Sequence, residues 1–237
     1  VLLERADLGQ GTTARFHGLL HSGGRYVVSD PQSATECAEE NAILKRIQAD
    51  AVEDTGGFFV VTPGDDPGFA DKFLAGAAAT GVPAREIAVA EALRREPLLN
   101  PGILRAIEVE DGSVDGWQLV WGAARSAQAY GATVLTYHKV VGIERERDRV
   151  SAVLARDVKG GEDVRINCGF VLNCAGPWAG QVAAFAGLHD VNVVAGRGIM
   201  VAMNHRLVNT VINRCVYPTD GDILVPVHTV SIICTTD

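Results

Sequence analysis

The sequence predicts a mixed α/β (α+β) fold in which a nucleotide-binding domain is interrupted by a substrate domain built on antiparallel strands. Three observations point to it. Short apolar runs alternate with segments of helical period along much of the chain; acid-proline pairs at Asp30-Pro31 and Asp66-Pro67 announce helix starts; and a dense group of strand-like runs fills residues 133–166.

The first element, Val1-Leu2-Leu3-Glu4, is a short buried strand ending in an acid. Residues 9–26 then read GQGTTARFHGLLHSGGRY, with five glycines, two histidines, two arginines and a tyrosine. That stretch has neither helical nor strand period, yet ordered-looking sequence follows it at once, which predicts a shaped active-site loop. Asp30 and Pro31 start a helix running to about residue 49, with Ala34, Ala38, Ile43, Leu44 and Ile47 on its packing face. A strand follows at 58–61, stopped by Pro63. The helix launched at Asp66-Pro67 buries Phe69, Phe73, Leu74, Ala77 and Ala78 and ends at Gly81.

A short helix is expected at 87–96, a strand at 103–109 and a polar turn at 111–115. The helix over 117–130 presents Leu119, Val120, Ala123, Ala124 and Ala127 to a sheet. Strands are expected at 133–136, 140–145, 150–157 and 164–166, with a solvated hairpin end at 146–148. A shorter buried strand at 170–173 leads through Cys174-Ala175-Gly176-Pro177-Trp178 into a helix ending near residue 186. Strand-like runs return at 191–195, 199–202, 208–213, 222–225 and 230–234. Both ends read as interrupted, since Val1 opens inside a strand and Thr235-Thr236-Asp237 closes directly after one, so a longer fold is expected.

With 237 residues, 47% of them hydrophobic and 21% charged, the chain can bury a sizeable core. The net charge of -8 excludes non-specific binding to a nucleic-acid backbone but leaves room for a local basic pocket for an acidic metabolite. Five cysteines without a CxxC pair indicate reduced thiols and a cytoplasmic-type compartment. There is no apolar span of about eighteen residues or more.

In a dinucleotide-binding fold the acid ending the second strand accepts hydrogen bonds from ribose hydroxyls, a role open to Glu4 alongside that of an ordinary surface acid. The glycine fingerprint that precedes such a strand is absent, and Gly196-Arg197-Gly198 does not replace it. His17 and His21 are four residues apart, which pairs ligands only on a helix. The intervening glycine and the lack of a further ligand cluster argue against a metal.

The segments LLER, GTTARFHGLLHSGGRY, DGSVDGWQLVWGAARSAQAYGA, NCAGPWAGQVA, GRGI and ILVPVHTVSIICTTD, in that order, resemble the FAD-dependent glycerol-3-phosphate dehydrogenase family, within the glycine- and D-amino-acid-oxidase-like flavoproteins. HGLLHSG-x-RY and the NRC segment are similar to the branch formed by the large catalytic subunit of the anaerobic enzyme. The resemblance implies a Rossmann-like FAD-binding domain over 1–50 and 130–187 and a substrate domain over 51–129 and 188–237. It implies that Glu4 binds the ribose, that Gly11, Thr12, Thr13, Gly18 and Leu20 belong to the wrap around the FAD pyrophosphate and flavin, and that Gly176 lies at a second cofactor crossing. It gives Arg25 the substrate phosphate, Tyr26 a substrate oxygen, and His21 the part of base or flavin-side donor. Plainer roles stay open beside these: histidines holding a loop carbonyl, Arg25 in an internal salt bridge, Tyr26 half-buried under the first helix, and Trp178 as a core plug.

Where relatives carry lysine-glycine before a small or polar residue, this chain has Arg197-Gly198-Ile199, and Ile199 is neither acid nor base. The proton-abstracting residue is therefore not assigned there. Arg214 of Asn213-Arg214-Cys215 is a cation facing a redox partner, a domain interface or substrate. The implied reaction is oxidation of sn-glycerol 3-phosphate to dihydroxyacetone phosphate by hydride transfer to flavin. Electron-transfer and membrane-anchor subunits then lead to a quinone, with the protein cytoplasmic or peripheral at the inner face of the membrane. Two other readings are a flavin oxidase or dehydrogenase of an amine, amino acid or 2-hydroxy acid, and a non-catalytic flavoprotein fragment that binds FAD poorly alone.

Overall fold

The computed structural model describes residues 1–196, 198–217 and 223–234. Arg197, Asp222 at the head of one expected strand, and Thr235-Thr236-Asp237 lie outside them. In chain order the strands are β1 (Leu2–Leu3), β2 (Leu19–Leu20), β3 (Val52–Glu53), β4 (Gly57–Val61), β5 (Ala84–Ile87), β6 (Arg105–Val109), β7 (Gly112–Val114), β8 (Val134–Leu135), β9 (His138–Glu146), β10 (Arg149–Asp157), β11 (Asp163–Asn167), β12 (Met200–Ala202), β13 (Val211–Arg214), β14 (Ile223–Val227) and β15 (Val230–Cys234). The helices are α1 (Pro31–Ile47), α2 (Phe69–Thr80), α3 (Val89–Arg95), α4 (Gly116–Ala129) and α5 (Ala179–Phe185).

The chain forms two compact units, residues 1–15 with 120–196 and residues 16–119 with 197–237. In the first, β1 pairs with β8 in parallel, and β9, β10 and β11 make an antiparallel meander. Ala152, Val153 and Ala155 are its buried spine. The charged 146–148 segment turns β9 into β10, with Arg147 at a φ of 58°. Arg145 of β9 donates to the carbonyl of Ala186 at 3.0 Å, satisfying an end carbonyl of α5.

The second unit is built on a seven-stranded mixed sheet in the order β12-β15-β14-β13-β4-β6-β5, with β13 and β4 parallel. Its interior strand β4 is buried throughout, because alternate side chains serve two cores. Phe59 and Val61 join Ala34, Phe73 and Ala77 from α1 and α2, whereas Phe58 and Val60 join Ala92 of α3 and Ile103. A smaller antiparallel sheet, β2-β7-β3, holds Leu20, Ala51 and Val114 in a further cluster. Residues 16–50 pack within this second unit.

Asp30 caps α1 by accepting the N–H of Ser33 at 3.1 Å, as the acid-proline signal predicts. The packing face of α1 is corrected in part: Ala38 and Leu44 pack against the cores as expected, but Ile43 and Ile47 do not. Ala34 and Asn41 are buried, while Ile47 is 62% exposed, because residues 34, 38, 41 and 45 share a stripe and Ile43 lies about 200° round from Asn41. The expected polar turn at 111–115 is mostly the buried strand β7, whose polar groups find partners inside. The runs at 170–173 and 191–195 form no strand: Phe170 and Leu172 are 77% and 79% exposed, having no ladder partner among the described residues. On α4 only Gly116 is buried, and Ala78 of α2 is exposed. No helix among the described residues is long and apolar enough to cross a membrane.

Candidate active site

In the first unit β1 delivers Glu4 to its C-terminal end. The Glu4 N–H donates to Leu135 O at 3.0 Å and its carbonyl accepts from His138 at 2.8 Å. Its carboxylate accepts the N–H of Ala6 on Oε1 at 2.9 Å, which folds the side chain over its own loop. Gly11 then precedes a single 3-10 turn, Thr12–Ala14, whose two threonines are exposed. Arg15 closes this turn by donating Nη1–H bonds to the carbonyls of Gln10 at 2.7 Å and Gly11 at 3.2 Å. Gly176 opens the turn Gly176–Trp178 with a φ of 52°. The Trp178 ring is half-buried, with the Arg5 guanidinium over it at 4.3 Å and the Gly11 turn against its edge.

The second unit gathers the other expected residues. Gly18, Leu19 and Leu20 are buried where β2 pairs with β7. Gly18 has a φ of 79°, and a Cβ there would stand 2.9 Å from Val227 Cγ2, so backbone conformation and space both require glycine. His17 Nδ1 accepts the N–H of Leu19 at 3.0 Å, which leaves its proton on Nε2. The histidine thus holds a loop amide, not a loop carbonyl. Its ring meets that of His21 edge-on at 5.9 Å, and the His21 ring stands 5.8 Å from that of Tyr26.

Tyr26 also packs against the core cluster that contains Ala34 and Phe73, so its ring is both half-buried and turned to His21. Arg25 lies beside it in the turn Gly24–Tyr26. Burial, followed by the Arg25 charge, lowers the His21 pKa to about 4. His17 falls to about 4 through burial, His21 and Arg25, in that order. Both rings are therefore neutral at pH 7, beside a permanent cation.

Behind this loop is a polar brace with no counterpart in the sequence-level candidates. Asn41 Nδ2 on α1 lies within hydrogen-bond distance of the carbonyls of Leu20 (3.3 Å), His21 (3.2 Å) and Glu110 (3.2 Å). The buried Asp111 carboxylate accepts the Ser22 N–H at 2.8 Å and the Ser22 hydroxyl at 2.7 Å on Oδ1, and Asn213 Nδ2–H at 3.1 Å on Oδ2. Burial raises the Asp111 pKa, and the Ser22 and Asn213 donors pull it back. One signal was available for Asn41: a polar residue on an apolar stripe, seven positions after Ala34.

Arg214 donates from Nε to Asp65 Oδ1 at 2.8 Å and holds the Asp65 carboxyl at a pKa of about 2. Cys215 is buried, with its thiol pushed up to about 12 by desolvation. Ile199 is exposed. Among the described residues no group of three or more histidines, cysteines and acids is placed to hold a metal ion.

Residues 1–237 match the family described as DAO, FAD dependent oxidoreductase. The chain belongs to this family. It is 44% identical over 245 aligned positions to the A1 subunit of the anaerobic glycerol-3-phosphate dehydrogenase of Haloferax volcanii, covering 100% of this chain and 42% of that protein. It is 42% identical over 236 positions to the corresponding subunit of the anaerobic glycerol-3-phosphate dehydrogenase of Escherichia coli, covering 100% and 43%. The chain thus spans under half the length of these curated relatives. Its backbone superposes on the L-proline dehydrogenase of P. horikoshii with a TM-score of 0.79, at 21% identity, over 98% of this chain and 61% of that one. That likeness confirms the mixed α/β fold.

FAD is the family's cofactor, and the first unit's donor set fits it. Ala6 takes Oε1 of Glu4, and Oε2 is an acceptor of the kind a ribose hydroxyl needs. The exposed Thr12 and Thr13 hydroxyls suit phosphate oxygens, and a Cβ at Gly176 would meet nothing within 4 Å, so the backbone there is open to close approach.

Proposed function

We propose that the protein to which this chain belongs oxidises sn-glycerol 3-phosphate to dihydroxyacetone phosphate. The observation that carries this reading is the convergence of a cation, a neutral imidazole and a phenol in the second unit. His21 and Tyr26 are 5.8 Å apart, with Arg25 in the same short turn. The substrate class comes from the relatives, which share 42–44% identity along the whole chain and are named as glycerol-3-phosphate dehydrogenases.

Bound FAD supplies the acceptor for the hydride that leaves the secondary alcohol carbon. The chain's residues position and deprotonate. Arg25 offers the phosphate a planar fork of donors, and the Tyr26 hydroxyl orients a substrate oxygen. The unprotonated His21 nitrogen takes the alcohol proton as the carbon–hydrogen bond breaks. Burial, with the Arg25 charge second, holds the ring at a pKa of about 4 and so unprotonated at pH 7, and a bound phosphate offsets the Arg25 part of that shift. In the first unit Glu4, Gly11, Thr12, Thr13 and Gly176 receive the nucleotide; Gly18 and Leu20 shape the loop in the second.

The nucleotide-binding role is assigned to residues 1–50 and 130–187, whose glycine-rich loop hands over to the substrate at its 21–26 end, and the substrate role is otherwise assigned mainly to 51–129 and 188–237. The relatives are each named as a subunit, which supports partner subunits; electron transfer through them to a quinone, membrane anchoring and a peripheral position at the inner face of the membrane complete the proposed reading. The test is Arg25→Ala in the full-length, FAD-loaded protein. Loss of a charge-assisted bond is expected to raise KM for sn-glycerol 3-phosphate by roughly 10- to 100-fold, from a cost of about 1.5–3 kcal/mol. An unchanged KM removes Arg25 as the anchor.

A further inference from the structure

We propose that Asp111, together with Asn41, is a positioning device for the reaction: a buried brace that fixes the backbone of residues 20–22 so that His21, and Arg25 one short turn further on, face the substrate in one geometry. This rests on the proposed roles of His21 and Arg25. Neither brace residue is a catalytic residue in this scheme, since both act through the loop.

Asn41 is 3% exposed and Asp111 2% exposed. Burying an amide and a carboxylate is unfavourable unless their hydrogen bonds are made, and here they are spent on one short segment. Asn41 reaches the carbonyls of Leu20 and His21, and Asp111 takes both the amide and the hydroxyl of Ser22. Three consecutive residues are thereby held from two sides. The donors Ser22 and Asn213 favour the ionised carboxylate, which is an acceptor only.

Further contacts tie the brace to the sheet and helix behind it. Asn213 binds the second Asp111 oxygen from β13, within the NRC segment whose role the sequence left open. Lys45, one turn on from Asn41, donates to the carbonyl of Glu110 at 2.9 Å and fixes the approach to Asp111. Room for the carboxylate comes from Gly57 of β4, where a Cβ would stand 2.7 Å from Asp111 Cβ. Helix α1, strand β4, strand β13 and the β6–β7 link therefore all converge on the loop that carries His21.

The test uses the full-length, FAD-loaded protein with Asp111→Ala, Asp111→Asn and Ser22→Ala, read by the rate of anaerobic flavin reduction by sn-glycerol 3-phosphate and by amide exchange over residues 18–26. Misplacement by about 1 Å costs on the order of a hundredfold in rate, so Asp111→Ala is expected to lose about that much and to speed exchange of the loop amides at least about tenfold. Asp111→Asn, which keeps an acceptor for Ser22, is expected to recover most of both losses. Ser22→Ala removes a single donor and gives an intermediate loss, and it serves as the deciding variant if Asp111→Ala does not accumulate loaded with FAD. Wild-type rate and wild-type exchange in Asp111→Ala, or in Ser22→Ala standing in for it, overturn the brace. So does faster exchange with no change in rate, which marks a purely structural role. If the wild type itself is not reduced by sn-glycerol 3-phosphate, the substrate reading fails, and unchanged exchange in the variants then separately refutes the brace.

Discussion

The side-chain amide of Asn41 lies 3.2 Å from the carbonyl oxygen of His21, tying the first helix to the loop that carries the proposed base. The same nitrogen lies 3.2–3.3 Å from two more carbonyls, of Glu110 and Leu20. Asn41→Leu keeps the branched shape and removes the donors. Leaving buried carbonyls unsatisfied costs about 1–3 kcal/mol, which denaturant unfolding of the full-length protein measures as a lowered midpoint with an unchanged slope.

Acid should weaken the fold through His17 and His21. Both have folded pKa values of about 4, against an ordinary value of 6.5. The unfolded chain therefore takes up their protons first as pH falls. Their contribution to stability is intact above about pH 6.5, is lost progressively down to about pH 4, and levels off below that. A full shift of this size corresponds to about 3 kcal/mol per ring. The check is unfolding at pH 7 and pH 4.5, where the double variant His17→Gln/His21→Gln should show a clearly smaller loss than the parent.

Gly57→Ala should disturb the site from inside the sheet. The new methyl carbon would sit 2.7 Å from Asp111 Cβ and Oδ2, so the carboxylate or the strand must move. Overpacking of this kind costs about 1–3 kcal/mol. Thermal unfolding should show the loss, and the rate of flavin reduction should fall with it, because displacing Asp111 displaces Ser22.

Arg214→Met separates stability from chemistry. The Asp65 side chain is 1% exposed and relies on Arg214 as well as on the N–H and hydroxyl of Thr62. Loss of the guanidinium should cost about 1–3 kcal/mol at pH 7. Because the folded Asp65 pKa lies at about 2, below its ordinary 3.8, the pair's contribution is full above pH 3.8 and disappears as pH falls through about 2. Substrate-driven flavin reduction in the loaded variant should match the wild type.

The parts legible in the sequence are those written locally. Asp30-Pro31 marked α1 because the cap bond joins residues three apart, and the apolar run at β4 and the alternation through β9, β10 and β11 announced themselves in short windows. The histidines, Arg25 and Tyr26 were visible as chemistry, but the neutrality of both rings comes from burial, which spacing does not reveal. Asp111 was read as part of a turn because its partners Ser22 and Asn213 lie 89 and 102 residues away. Phe170 and Leu172 depart from expectation for the opposite reason: an apolar run becomes a buried strand only where a neighbouring strand accepts it.

The most direct measurement is anaerobic mixing of the full-length, FAD-loaded protein with sn-glycerol 3-phosphate while flavin absorbance is followed. The proposed function predicts rapid, saturable bleaching, with dihydroxyacetone phosphate formed one-to-one with reduced flavin and no bleaching by glycine or L-proline. A flavin that stays oxidised with sn-glycerol 3-phosphate but is reduced by an amino acid would contradict it.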